Sequence, residues 1–289
     1  MLFYDPRLSR DGTVSCGSCH QPAFAFADSV RATSLGVGAQ SGVRNTPGLA
    51  NLAWMPAFFW DGGAAHLEIT PLNALTNPVE MGETLQHTLE KLNATPRYRE
   101  KFKAAFGEDT ISAQLLFRAI AQFTGSLVSD GSRYDRYVRQ ERGAALTADE
   151  REGLQLFTQK CANCHATHLF TDHSFRNNGL DGEGVRDPGR QVVTGNAADR
   201  GKFKVPSLRN VALTPPYMHD GRFPTLAAVL DHYAAGVQNS STLDPLLRQA
   251  GAPGIPLTKA EKTKLIVFLH TLSDAAFCAN ERFKDPGSL

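Results

Sequence analysis

Two Cys-x-x-Cys-His segments, Cys16-Gly17-Ser18-Cys19-His20 and Cys161-Ala162-Asn163-Cys164-His165, constrain this 289-residue chain more than any other feature. The two thiols of such a segment can add across the vinyl groups of a haem, and the adjacent histidine is placed to ligate the iron. Four of the five cysteines are used this way, which leaves Cys278 alone. Buried free cysteines would not fall twice into one pattern by accident. A zinc site would need the two pairs to meet, although each already has its own histidine. Two covalent c-type haems are therefore expected, one on Cys16, Cys19 and His20, the other on Cys161, Cys164 and His165.

The motifs stand 145 positions apart, about half the chain, which suggests two copies of one small haem module. Thr147-Ala148-Asp149-Glu150 reads as a capping box opening a helix before the second motif, and Thr258-Lys259-Ala260-Glu261 opens another near the end. Ile111, Leu115, Leu116, Ala119, Ile120 and Phe123 recur at helical spacing in the first half. These helices suit closure over a haem and equally suit an ordinary core. Stretches 28–63 and 171–224 are rich in Gly, Pro, Asp and Asn and are long enough to wrap haem edges. The expected fold is mainly α, two cytochrome-c-type haem domains packed together with long haem-wrapping loops and a short hairpin near 171–195. The domains are placed at 1–140, completed by the tail 275–289, and at 141–274.

A net charge of +1 gives no overall field favouring nucleic acid or an anionic membrane surface. No apolar run approaches a membrane span, and Met1-Leu2-Phe3-Tyr4-Asp5 lacks the form of a targeting signal. Met1 opens inside what looks like the core, so a removed leader is suspected. Covalent c-haem implies assembly outside the cytoplasm, hence a periplasmic location.

His20 and His165 are the expected proximal ligands, and the opposite face of each iron decides function. Residues 21–65 hold no histidine and one methionine, Met55, so an open first site is expected. Candidates above the second haem are His168, His173, Tyr217, Met218, His219, His232, Tyr233 and His270.

The segments Phe59-Trp60-Asp61-Gly62, Asn77-Pro78-Val79-Glu80-Met81-Gly82, Phe203-Lys204-Val205-Pro206-Ser207-Leu208-Arg209-Asn210 and Leu213-Thr214-Pro215-Pro216-Tyr217-Met218-His219-Asp220-Gly221 resemble the bacterial dihaem cytochrome c peroxidase and MauG superfamily. The likeness runs from Leu2 to about Leu272. It implies a peroxidase in which hydrogen peroxide is reduced at the N-terminal haem while the C-terminal haem relays or stores oxidising equivalents. It implies further that Glu80 is the distal acid/base, that Trp60, rather than Trp54, conducts electrons between the haems, and that Asn45 with the carbonyls of Thr214 and Pro216 holds a calcium ion between the domains. His219 and Arg209 are candidate contacts to haem propionates.

The chain also departs from that pattern. Relatives that need reductive activation carry a displaceable histidine above the first haem, which is missing from 21–65. The axial methionine of the peroxidases falls on Tyr233, as in MauG-type proteins, with Met218 and His232 as alternatives. Thr70 and Ala74 stand where the family often has glutamine and proline. The partner implied is a small redox donor, a cytochrome c or a cupredoxin, or else a protein whose side chains are oxidised. A pure electron carrier is a third reading, and relatives are often homodimers.

Overall fold

The computed structural model describes residues 1–248 and 252–287. The first half begins with a single turn, α1 (Cys16–Cys19), whose start is fixed by a capping box between Ser15 and Ser18. There follow α2 (Thr70–Thr76), α3 (Leu85–Ala94), α4 (Pro96–Phe106), α5 (Ala113–Gly125) and α6 (Arg133–Val138). The apolar face of α5 meets Leu8, Val37, Leu75, Met81 and Leu92 in one buried cluster. Each such side chain, fully buried, contributes about 1.5–3 kcal/mol.

In the second half α7 (Ala148–Lys160) leads into the second attachment motif, and its Thr147–Glu150 capping box is formed. Next come β1 (Phe175–Arg176), α8 (Gln191–Thr194), β2 (Phe203–Lys204) and α9 (Leu226–Asp231), which runs into a π-helical turn at His232–Gly236. Helix α10 (Lys259–His270), opened by the Thr258–Glu261 box, packs on α7 through Phe157, Leu265 and Phe268. Helix α11 (Ala275–Cys278) begins the tail.

The expected hairpin at 171–195 is not what forms. Strand β1 pairs antiparallel with β2, matching Phe175 to Lys204 and Arg176 to Phe203. The chain between them turns at 191–194 into α8, which Gly195 closes in the left-handed region at φ 69°.

The two halves are joined by a buried polar network. Asn51 and Ser129 exchange two hydrogen bonds, Nδ2–H to the Ser129 carbonyl at 3.0 Å and the Ser129 N–H to Oδ1 at 2.9 Å. The Ser129 hydroxyl donates to Asp274 at 3.0 Å and accepts from Asn210 at 3.0 Å. Beside it Arg209 and Asp135 form a two-pronged ion pair, both bonds 2.8 Å, with side chains 8% and 7% exposed. The tail then returns to the first half. Phe277 and Phe283 enter a cluster with Phe3, Phe26 and Leu127, and the Tyr4 hydroxyl donates to the Phe283 carbonyl. The last two residues of the expected tail, 288 and 289, lie outside the described residues.

Candidate active site

Each attachment motif presents its histidine in the same way. The Nδ1 of His20 bonds the Phe26 carbonyl at 2.8 Å, and that of His165 bonds the Phe170 carbonyl at 3.0 Å. An Nδ1–H held by a carbonyl fixes the tautomer and frees Nε2 as a donor to iron. Burial depresses both pKa values, against the pull of those carbonyls, and so favours the neutral imidazole that ligation needs. Oriented neutral imidazoles, each one residue after a pair of thiols, fit a c-type haem at both motifs.

Glu80 lies within the tight turn 77–82, where the N–H groups of Glu80 and Gly82 donate to the Asn77 carbonyl at 3.0 and 2.9 Å. Its side chain is largely exposed, yet its carboxyl is desolvated by its surroundings and its pKa is raised; the Asn77 amide, donating to Oε1 at 2.7 Å, pulls the other way. It stands within electrostatic reach of Cys16 and Cys19. Gly36 sets its position. A Cβ there would come within 2.2 Å of the Val79 carbonyl and 2.6 Å of the Glu80 Cα, while the next N–H, of Val37, donates to the Glu80 carbonyl at 2.8 Å.

Trp60 is held where the halves meet. Its indole N–H donates to the Asn45 carbonyl at 2.8 Å, and its own carbonyl accepts the Lys204 N–H at 2.7 Å. The Asn45 N–H in turn donates to the His219 carbonyl at 2.7 Å. Arg44 spans the same junction, pairing with Asp61 and Asp187 at 2.6 Å each. Trp54, by contrast, is 54% exposed.

His219 is buried and stacks on Phe203, rings 3.7 Å apart and 11° from parallel. Arg209 donates to Asp135, to the His168 carbonyl and to the Ser129 carbonyl, which leaves one of its five N–H groups without a partner among the described residues. The Asn45 side chain donates to the Ala32 carbonyl at 3.1 Å, which turns its oxygen away from that bond. Thr70 donates to the Leu67 carbonyl at 2.8 Å.

The three alternatives for the second haem converge on Asn178. The Nδ2–H of Asn178 donates to the Met218 sulfur at 3.4 Å, and its carbonyl is bonded by His232 Nε2 at 3.0 Å. That bond engages the nitrogen His232 would offer to iron. The Tyr233 phenol is pushed up to about 12 by burial, with Asn178 pulling it down, and lies within electrostatic reach of Cys161 and Cys164.

The first 143 residues match the family model for di-haem cytochrome c peroxidase. Over 274 residues the chain is 39% identical to the methylamine utilization protein MauG of Methylorubrum extorquens, covering 94% of this chain and 76% of that one. It is 36% identical to the cytochrome c551 peroxidase of Nitrosomonas europaea, with 94% and 78% covered. The chain belongs to the dihaem cytochrome c peroxidase family. Among solved structures it resembles a MauG-like protein associated with microbial copper homeostasis, at a TM-score of 0.89 and 35% identity over 99% of this chain and 91% of that one. This dihaem peroxidase is accordingly an oxidoreductase with haem c cofactors, and no helix among its described residues is long and apolar enough to cross a membrane.

Sequence reasoning had no signal for Gly36, because its neighbour in space, Glu80, is 44 positions away. Asn77 lies inside a motif, yet nothing in the sequence marks it as the partner of Glu80. Lys204 also sat inside a motif without a role.

Proposed function

We propose that this dihaem peroxidase reduces hydrogen peroxide at the haem of Cys16, Cys19 and His20, and that the haem of Cys161, Cys164 and His165 relays electrons through Trp60. The observation that carries the reading is Glu80, a carboxyl with a raised pKa on the first haem's side of a chain that offers no histidine in 21–65. A haem iron with an open position supplies the two-electron chemistry that cleaves the peroxide bond. Glu80 takes the proton from the peroxide oxygen nearer the iron and returns it to the departing oxygen, and Asn77 aims the carboxyl. With two electrons and two protons each peroxide yields two waters. The electrons come from a small redox protein, a cytochrome c or a cupredoxin, in the periplasm.

Tyr233 would hold the second haem iron on the side away from His165 only as a phenolate donor from the π-helical turn His232–Gly236. A phenol pushed up to about 12 keeps its proton unless a cation replaces it, and a ferric iron is such a cation. A hard phenolate donor favours the oxidised iron. That observation supports a second reading, in which the protein oxidises side chains of a partner protein, as its relationship to MauG suggests. His219 and the remaining N–H of Arg209 are offered to haem carboxylates. Asn45 with the carbonyls of Thr214 and Pro216 would hold calcium, the two carbonyls accepting no hydrogen bond among the described residues. Residues 1–140 with the tail 275–289 form the peroxide-reactive unit, and 141–274 the relay.

Low-temperature EPR of the ferric holoprotein tests the scheme. One high-spin and one low-spin signal are expected, and two low-spin haems would overturn it. Steady-state assays with reduced cytochrome c against a candidate protein substrate then separate the two readings.

A further inference from the structure

Lys204 is a half-buried cation with no acidic partner among the described residues. Burial alone lowers its pKa to about 8, with no acidic group pulling it back. Asp172 and Asp61, on the segments it joins, are engaged elsewhere, by Arg176 at 2.7 Å and by Arg44 at 2.6 Å. Its ammonium donates to the Ala57 carbonyl at 2.9 Å, a neutral acceptor, and its backbone N–H donates to the Trp60 carbonyl. Lys204 thus grips the loop that carries Trp60 at both ends.

On its other side it is joined to the segment that follows His165. Lys204 faces Phe175 in the two-strand ladder. The next residue, Val205, receives the Thr171 hydroxyl at 2.6 Å on its carbonyl, and its N–H donates to Ser174 at 2.8 Å. Between those anchors sits His173, whose Nδ1 is buried and has no partner, and whose pKa Lys204 helps to depress. The unpartnered His173 nitrogen and the Lys204 ammonium thus belong to one stretch of the seam, and a desolvated cation calls for a counter-charge.

Each haem brings two propionate carboxylates. We propose that Lys204, with His173 beside it, seats a haem propionate at the seam and is the positioning residue that ties that charge to the Trp60 loop. This rests on the haem content of the reading above and not on peroxide turnover. Arg209, anchored on Asp135 but with one N–H to spare, and His219, stacked on Phe203, remain for the other carboxylates.

The test is an equilibrium redox titration of the holoprotein, followed by visible absorption, without peroxide. Lys204→Gln keeps a donor for the Ala57 carbonyl and removes the charge, Lys204→Met removes both, and Lys204→Arg keeps the charge. Losing a positive charge beside a carboxylate favours the ferric iron, so Lys204→Gln and Lys204→Met are expected to lower the ferrous-to-ferric ratio of one haem at a fixed potential by tenfold, about 59 mV for one electron. Lys204→Arg is expected to restore the native ratio. If Lys204→Met fails to load both haems, Lys204→Gln decides. Unchanged potentials in Lys204→Gln, or an equal shift in Lys204→Arg, would overturn the proposal. Either outcome leaves the peroxidase reading standing, since no turnover is measured.

Discussion

The indole N–H of Trp60 donates to the main-chain carbonyl of Asn45 at 2.8 Å, and the N–H of the same Asn45 donates to the carbonyl of His219 at 2.7 Å. One residue thus links the proposed relay ring to the His219 segment of the second half. Trp60→Phe keeps an aromatic ring but leaves the Asn45 carbonyl without its donor, a loss of about 1–3 kcal/mol where that group is buried. Thermal unfolding should show that loss, and rapid mixing with peroxide should show slower electron exchange between the haems. Unchanged exchange would remove Trp60 from the pathway.

Glu80→Gln should lower kcat/KM for peroxide by about 100- to 10,000-fold, the range for a positioned acid/base group. The base form of Glu80 is the one that accepts the peroxide proton, and its pKa is raised by the desolvating surroundings of its carboxyl. The native rate should therefore climb as pH rises through that elevated pKa. In Glu80→Gln this limb should be flat. A variant that keeps the same acid limb would assign it to another group.

Gly36→Ala should lower peroxide reactivity without touching the haem-attachment residues, because the added methyl meets the Val79 and Glu80 backbone at 2.2–2.6 Å. About tenfold in rate corresponds to a 1.36 kcal/mol loss of transition-state stabilisation. Stopped-flow kinetics on the variant, with both haems verified by their spectra, would measure it. A native rate would mean that the turn 77–82 moves freely.

Tyr233→Met should raise the midpoint potential of the second haem, since a thioether favours the ferrous iron more than a phenolate does. Spectroelectrochemistry would read the shift. If the potential stays where it was, Tyr233 is not the ligand and Met218 becomes the better choice.

Asp135→Ala should destabilise the protein by about 3–5 kcal/mol, because it strands the Arg209 guanidinium at a buried position. Burial alone would raise the Asp135 pKa, but the Arg209 and Ser132 hydrogen bonds outweigh it and the pKa is lowered. A carboxylate with a depressed folded pKa adds stability above its unfolded value and loses it as pH falls through the folded one. Denaturant unfolding between pH 7 and pH 3 should show native stability declining toward acid. The Asp135→Ala curve should be flatter.

Much of this arrangement was legible in the sequence because it is local. The attachment motifs need adjacent residues only, and the Thr147–Glu150 and Thr258–Glu261 boxes are four-residue patterns that the structure realises. The hairpin near 171–195 failed because β1 finds its partner at 203–204, beyond a loop that no short-range signal bridges. Gly36 and Lys204 were silent for the same reason. The meaning of each lies in a contact with a distant turn, and neither carries a spacing that betrays it.

The aromatic cluster beside the first motif draws on Phe3 and Phe26 from one end of the sequence and on Phe277 and Phe283 from the other. A chain delivered from its N-terminus exposes Cys16 and Cys19 long before those two rings arrive. The wall beside the first thiols is therefore complete only when both ends of the sequence are in place.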